Sequence, residues 1–595
     1  MIFGKYVNRY YLRYIYMLIL GILSLVLVDY MQLVIPELYR MLVNGLTYGS
    51  VEKDGVIFDF NINFLLDEIC LPMILVILAI VGGRFLWRIA FKSVAIKTET
   101  GLRKEMFARS KELSQEYYHT NKVGNLMTLF TNDLETVQDC ISWGVLMFFD
   151  AFFLGILAIR KMFAMDWVLT LLSFIPMLLL LAIGAVIDHN LEKCWDARQS
   201  AFSALSDHSQ ESFSGIAVIK AFVKETVELM RFKNINAENE KANVEHAKLS
   251  TLLSILVTLF VESVVCVILG YGGYLVWNGD FDAGHLVEFI GYFTSIIWPV
   301  MAVSQLIEMR SRGNASLKRI AKLLDSVPDV KDRAGVDNSP LIEGNIEFKN
   351  LSFKYPGREE KALDNITFKI NAGESVGIIG RTGSGKTTIV DLILRTYNVE
   401  DGSLFIDGKD VNDISIKSVR EFISYVPQDN FLFSDTIAHN IAFSKENIDF
   451  EKIREAAKNA EVDSNIIAFP KKYETILGER GVTLSGGQKQ RVSIARALFK
   501  DSGILILDDS VSAVDIKTEK AILDNLFQLR KGRTTILIAH RISTIERMEK
   551  IIFVDDGKLV DIGTHSELYE RCSEYRRMVQ LQLLDESNER GGSDE

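Results

Sequence analysis

Six long apolar runs in the first half limit this chain more than any other feature. They fall near 14–46, 70–90, 137–160, 166–188, 251–277 and 285–308. At about 1.5 Å of rise per helical residue, each is long enough to cross the roughly 30 Å hydrocarbon core of a bilayer. Inside that core every backbone N–H and C=O needs a partner within the protein, so such runs become helices. The pattern predicts an all-α transmembrane domain of six helices.

Basic residues sort the connecting segments. Arg88, Lys92, Lys97, Arg103 and Lys104 follow the second run, Lys193, Arg198, Lys220 and Lys224 the fourth, and Arg310, Arg312, Lys318 and Arg319 the sixth. The segments 49–62 and 278–284 hold one Lys and none. The bias of Lys and Arg toward the cytoplasmic side puts both termini and the long loops there. Those loops, about 91–136 and 189–250, are rich in Glu, Lys, Ala and Leu. Helices are therefore expected to continue out of the membrane. Arg160 and Lys161 sit against this rule, and snorkelling to the headgroups is expected of them. Asp29, Asp150 and Glu262 lie inside apolar runs, where a charge costs at least ~2.5 kcal/mol, so each should face a cavity or a partner.

The remainder of the 595 residues leaves room for a soluble domain. A composition 48% hydrophobic yet 24% charged fits such a composite. The formal net charge of −11 argues against a nucleic-acid-binding surface. Five scattered cysteines form no CxxC pair and suggest neither a zinc site nor a disulfide framework. Residues 327–343, punctuated by Pro328, Gly335 and Pro340, read as a linker between a transmembrane domain at 1–326 and a second domain at 344–584. The tail, 585–595, is acidic and contains Gly and Ser, and disorder is expected there. Within 344–584 strands alternate with helices, which predicts an α/β domain with a mainly parallel sheet and ligands at the strand C-termini.

One motif in that domain is specific. The strand ending at Ile379 runs into Gly380-Arg381-Thr382-Gly383-Ser384-Gly385-Lys386-Thr387, followed by Thr388 and a predicted helix. Glycines there let successive N–H groups turn toward phosphate oxygens, and the helix N-terminus adds its positive end. Lys386 supplies a charge for the outer phosphates and Thr387 a hydroxyl for Mg²⁺. ATP and Mg²⁺ are the ligands this motif predicts. About a hundred residues later, Leu484-Ser485-Gly486-Gly487-Gln488 puts small residues where backbone must approach something. The apolar strand Ile504–Leu507 then ends in Asp508 and Asp509.

On these motifs the chain resembles one half of an ABC exporter, over nearly its whole length. The resemblance implies further roles. Tyr355 stacks on adenine. Gln428 reaches Mg²⁺ and the attacking water. Asp508 joins Thr387 at Mg²⁺. His540 stands near the γ-phosphate, and Ser512 to Asp515 crosses a dimer interface. Tyr473 to Gly481 resembles a segment found in exporters ahead of the signature. Tyr117–Asn132 and Ser214–Glu225, turning at Gly124 and Gly215, resemble the cross-helices that dock on ATP-binding domains. Ser485, Gly486, Gly487 and Gln488 close over ATP held by a facing subunit, so a second half-transporter chain is required.

At position 509 the family's hydrolysing exporters carry Glu. Asp is one methylene shorter, a retreat of about 1.5 Å, and misplacing a catalytic group by ~1 Å can cost ~10²-fold. The stretch ILILDDSVSAVD resembles the weaker-site subunits of heterodimeric bacterial multidrug exporters. This implies a plasma-membrane translocase that exports amphipathic small molecules from the lipid or cytoplasm by alternating access. Hydrolysis then falls mainly to a partner chain carrying Glu. A lipid or peptide cargo, a homodimer, and an ATP-gated membrane regulator that does not pump are the alternatives.

Overall fold

The computed structural model describes residues 4–53, 55–338, 342–446, 449–478, 481 and 483–591. The chain forms two compact units, Met1–Ala108 with Met127–Asp325, and Arg109–Leu126 with Ser326–Glu595.

The first unit is helical. Ile15–Tyr48, Leu71–Glu112, Leu134–Met165, Trp167–Ser214, Glu225–Asn278 and Ala283–Asp325 are its long elements. At 54 residues, Glu225–Asn278 is about 80 Å long, far more than a bilayer core needs. Its polar first half therefore extends beyond the apolar part, as the loop composition predicts. Among the described residues five helices are long and apolar enough to span a membrane. The sixth expected span falls on Trp167–Ser214, whose described apolar part, Trp167–Leu180, is shorter. Between Trp167–Ser214 and Glu225–Asn278 the chain makes one six-residue helix, Ile216–Ala221. Gly215 starts it and Val223, at φ 53°, ends it. Residues 50–59, expected only as a short loop, form a hairpin that pairs Ser50 with Asp59 and Lys53 with Val56.

Ala283–Asp325 packs along Leu134–Met165 and Ile15–Tyr48, and Trp167–Ser214 along Glu225–Asn278. Leu154, Ala158, Val264, Ile268, Phe289 and Phe293 close the core between them. Lys161, expected to reach the headgroups, has an ion-pair partner within the protein. It pairs with Glu37, which also accepts from the Tyr292 hydroxyl at 3.1 Å. Tyr292 donates as well to Glu288 at 2.8 Å, and Arg40 lies 3.3 Å from Glu288. Two acids missed in the apolar pattern thus hold the charges there, since an unpaired charge in hydrocarbon is costly. Of the acids the pattern did find, Asp29 is buried, Asp150 accepts from the Trp298 indole at 2.6 Å, and Glu262 is exposed.

The second unit contains two sheets. The larger runs in the order Lys558–Gly563, Lys550–Asp555, Ser375–Ile379, Thr535–Ala539, Ile504–Asp508, Ile423–Val426. It is parallel except for its first strand. Its central strands are buried on both faces, which is why they read as unbroken apolar runs. The smaller sheet, Leu363–Ile370, Ile346–Phe353, Leu404–Ile406 and Lys409–Asp410, is antiparallel throughout. The expectation of a mainly parallel sheet is corrected on this point. The strand Ile346–Phe353 shifts register between Phe348 and Leu351, where Asn350 takes φ 48°.

Two other expectations change. Gly124 lies inside the helix Val123–Thr128, and the break falls earlier, at Asn121 and Lys122 after the helix Gln115–Thr120. The described part of the tail, as far as Gly591, is helical. Residues 592–595 lie outside the described residues, as do Glu479 and Arg480 of the segment 473–481.

Candidate nucleotide site

Parallel pairing brings the candidate residues to one edge. Ala539 is in register with Ile379, Ile538 with Asp508, and Val426 with Leu507. Gly380, Asp509, His540 and Gln428 follow those strand ends. Residues far apart in sequence therefore meet at the C-terminal edge of a parallel sheet, where ligands of such sheets bind.

The phosphate loop is shaped by close approach. A Cβ on Gly380 would lie 1.9 Å from the Val554 carbonyl oxygen and 2.6 Å from Ser384 Oγ. Gly385 takes φ 94° and begins the helix Lys386–Ile393. Arg381, Thr382 and Gly383 are exposed at the loop's tip, and Ser384 is buried beneath. Lys386 is 5% exposed, and its ammonium donates to the carbonyls of Gly380 at 2.9 Å and Arg381 at 2.8 Å. Burial lowers its pKa, opposed by Asp508, Asp509 and Asp555.

Asp508 ends its strand 1% exposed, and its Oδ2 is buried with no hydrogen-bond partner. Burial raises its pKa, while the Thr387 hydroxyl pulls it back. A buried carboxylate oxygen left open beside a hydroxyl, at a helix N-terminus, fits Mg²⁺ held against phosphates. Among the described residues no cluster of three His, Cys, Asp or Glu could hold a metal by itself. Mg²⁺ commonly uses one or two carboxylates and the phosphates, so the donor set agrees.

Asp509 is half-buried with φ 45°. Its N–H donates to the Ile538 carbonyl at 3.0 Å, which ties it to the neighbouring strand. His540 has its pKa lowered by burial and by Lys386, with Asp509 opposing. Lys386, Asp509 and His540 thus share one electrostatic neighbourhood. Gln428 is exposed on the loop after Ile423–Val426. The Tyr355 ring packs edge-on against Phe353 and Tyr397, and its hydroxyl bonds Thr388 Oγ1 at 2.9 Å.

The signature begins a different helix, Gly486–Lys500. Ser485 Oγ accepts from the Gln488 N–H at 3.3 Å, and Gln488 Oε1 accepts from the Ser485 N–H at 3.0 Å. This capping box uses both side chains to finish the helix end. Gly486 is exposed with nothing near its Cβ direction. A Cβ on Gly487 would lie 2.8 Å from the Ala513 carbonyl oxygen. The two glycines therefore do different things: one leaves the outside open, the other admits the loop Ser512–Asp515. Asp515 caps the helix Ile516–Leu529 by accepting from Thr518 N–H at 3.0 Å, which lowers its pKa. Among the described residues no hydrogen bond joins Ser485–Gln488 to the phosphate loop.

Two residues escaped sequence reading. Gln490, buried in the signature helix, accepts from Ala513 N–H at 3.0 Å and reaches the Asp509 carbonyl at 3.5 Å. A polar residue on the core face of an amphipathic helix was its only signal. Asp391, near Asp508, has its pKa pushed up to about 6 by burial first and by that neighbour second. A lone Asp in a helix carries no motif.

This arrangement matches known proteins. Residues 17–300 match the ABC transporter transmembrane region and residues 363–512 the ABC transporter domain. The chain is 35% identical to the "Probable multidrug resistance ABC transporter ATP-binding/permease protein YheI" of Bacillus subtilis, over 99% of this chain and 98% of that one. It is 34% identical to the "ATP-dependent lipid A-core flippase" of Syntrophus aciditrophicus, over 90% and 88%. A solved structure of a bacterial Atm1-family ABC exporter with ATP bound superposes with a TM-score of 0.76 at 26% identity, covering 97% of this chain and 98% of that one. The chain belongs to the ABC transporter family, with a membrane region and an ATP-binding domain fused in one polypeptide.

Proposed function

We propose that this chain is one half of an ATP-driven exporter of amphipathic small molecules, of multidrug type, and that its own ATP site hydrolyses poorly. It sits in a bacterial plasma membrane with six spans and with its termini and ATP-binding domain cytoplasmic. Asp509 carries the reading. It stands beside Lys386 and His540, where a general base or water-orienting group is needed, and it is one methylene short of Glu. Its N–H bond to the Ile538 carbonyl ties this backbone to the neighbouring strand.

The loop N–H groups and Lys386 hold the outer phosphates. Thr387, Asp508 and Gln428 hold Mg²⁺, which supplies charge neutralisation between those phosphates when bound. Tyr355 stacks on the base. Ser485 and the N–H groups of Gly486 and Gly487 close over nucleotide held by the facing subunit, and Asp515 and its loop meet that subunit. The facing subunit is a different chain with Glu after its own apolar strand. Closure of the two ATP-binding domains swings the helical extensions, and the membrane cavity changes the side it opens to. The relative named for multidrug resistance supports the cargo class. A lipid cargo is the second reading, favoured by the likeness to the flippase.

The test is ATPase activity of the purified chain alone and paired, in vesicles with cationic dyes or with labelled lipid. The chain alone should turn over little ATP. In the pair, Asp509→Glu should raise hydrolysis at this site by about ten- to a hundredfold. Fast hydrolysis by the chain alone sinks both the weak site and the obligate different partner.

A further inference from the structure

The last described helix, Ser573–Gly591, packs on the core through Tyr575 and Val579, both buried. The next position on that face, one helical turn further, is Gln582. Its neighbours Leu581, Leu583 and Leu584 are 54%, 58% and 59% exposed. The helix thus turns a glutamine inward and three leucines outward. A polar side chain on a core face is costly unless both ends of its amide find partners.

Both ends do. Gln582 Nε2 donates to the His540 carbonyl at 2.7 Å, and Gln582 Oε1 accepts from the Ile542 N–H at 2.8 Å. The amide spans the turn between the strand Thr535–Ala539 and the helix Ile542–Ile545, gripping the backbone on either side of Arg541. A second clamp acts from another direction. Glu519, 6% exposed, accepts from Thr544 Oγ1 at 2.5 Å and lies 3.8 Å from Arg541. The amide holds His540 through its backbone carbonyl and not through its ring.

We infer that Gln582 is a positioning residue for His540: the C-terminal helix fixes the turn that presents the histidine to the γ-phosphate. This rests on the role proposed above for His540. The helix that carries Gln582 follows the catalytic core in sequence and ends the described chain, so the site's geometry depends on a segment outside every nucleotide motif.

The test uses the assembled transporter in lipid, in its natural form and with Asp509→Glu, and reads single-turnover hydrolysis at this chain's site in whichever is faster. Gln582→Ala should lower the rate about tenfold and leave the KM for ATP within about twofold, since a displaced histidine affects the reacting state more than binding. Gln582→Glu should be slow at about pH 8 and recover toward about pH 6, because only a protonated carboxyl can donate to the His540 carbonyl. Adding Gln582→Ala to His540→Ala should cost nothing more, because the two act as a unit. An unchanged rate in Gln582→Ala while His540→Ala is slow overturns the inference alone, as do losses that multiply. An unchanged rate in His540→Ala overturns the role of the histidine and this inference with it. Should Gln582→Ala fail to fold, the pH profile of Gln582→Glu decides.

Discussion

At the phosphate loop, the helix Lys386–Ile393 starts behind Gly385, and its lysine turns inward onto loop carbonyls. At the signature, the helix Gly486–Lys500 starts behind Ser485, and its first glycine faces outward. Both are helix N-termini that can bind anions. The first is surrounded by its own domain's groups: Asp508, Thr387, Asp509 and His540. The second is finished by its own capping box, and among the described residues nothing lies within 4 Å of where a Cβ on Gly486 would stand. The first N-terminus lies among groups of its own chain that suit a phosphate ligand, while the second is capped by its own side chains and leaves Gly486 exposed.

The contrast can be broken by experiment at three strengths. Replacing Lys386 with Met removes the buried charge of the self-contained half, and should weaken ATP binding to this chain by about a hundredfold. Equilibrium binding of a fluorescent ATP analogue to the purified chain measures it. Affinity within a factor of about three of the parent would mean that Lys386 does not face phosphate.

Gly487→Val should act on the other half. Its side chain meets the Ala513 carbonyl oxygen and displaces the loop Ser512–Asp515. Turnover of the assembled pair should fall by about tenfold or more, while ATP binding to the isolated chain holds within about twofold. If binding by the isolated chain falls with turnover, the two N-termini are not separate in function.

The smallest effect concerns Asp391, on the helix Lys386–Ile393 that the first half begins. Its pKa of about 6 in the folded protein lies above the ordinary carboxylate value of about 3.9. A raised folded pKa gives stability that is complete below about pH 3.9 and lost as pH rises through about 6. Asp391→Asn should therefore stabilise the ATP-binding unit above about pH 6, by about 1–2 kcal/mol after discounting for partial exposure, and not at about pH 4. Thermal unfolding across pH reads this. A gain of equal size at both ends of the range would mean that the charge is not the cause.

Particular residues mark where sequence reading ended. The phosphate loop was legible because glycine positions, a lysine and a preceding apolar strand are local and obey one geometry. Asp508 and Asp509 were legible as the end of an apolar strand. The pairing of Lys161 escaped because its partner Glu37 lies on another helix, 124 residues away. The antiparallel sheet was missed because alternating strands say nothing of the direction in which they pair. Gln582 carries no motif, and its neighbours' side chains point the opposite way.

Apolar length, helix-start glycines and strand-end acids are properties of neighbouring residues, so the linear order of the chain already marks a helical membrane region, the phosphate loop and the strand ends, while only five of the six expected spans are long and apolar enough among the described residues. Contacts between distant segments depend on which faces meet after packing. The fold alone decided that Gly486 stays open while Gly487 receives Ala513, that Gln490 ties the signature helix to Asp509, and that the C-terminal helix holds the turn at His540. Side-chain direction on a packed helix follows from the core it meets, and no stretch of sequence carries that core alone.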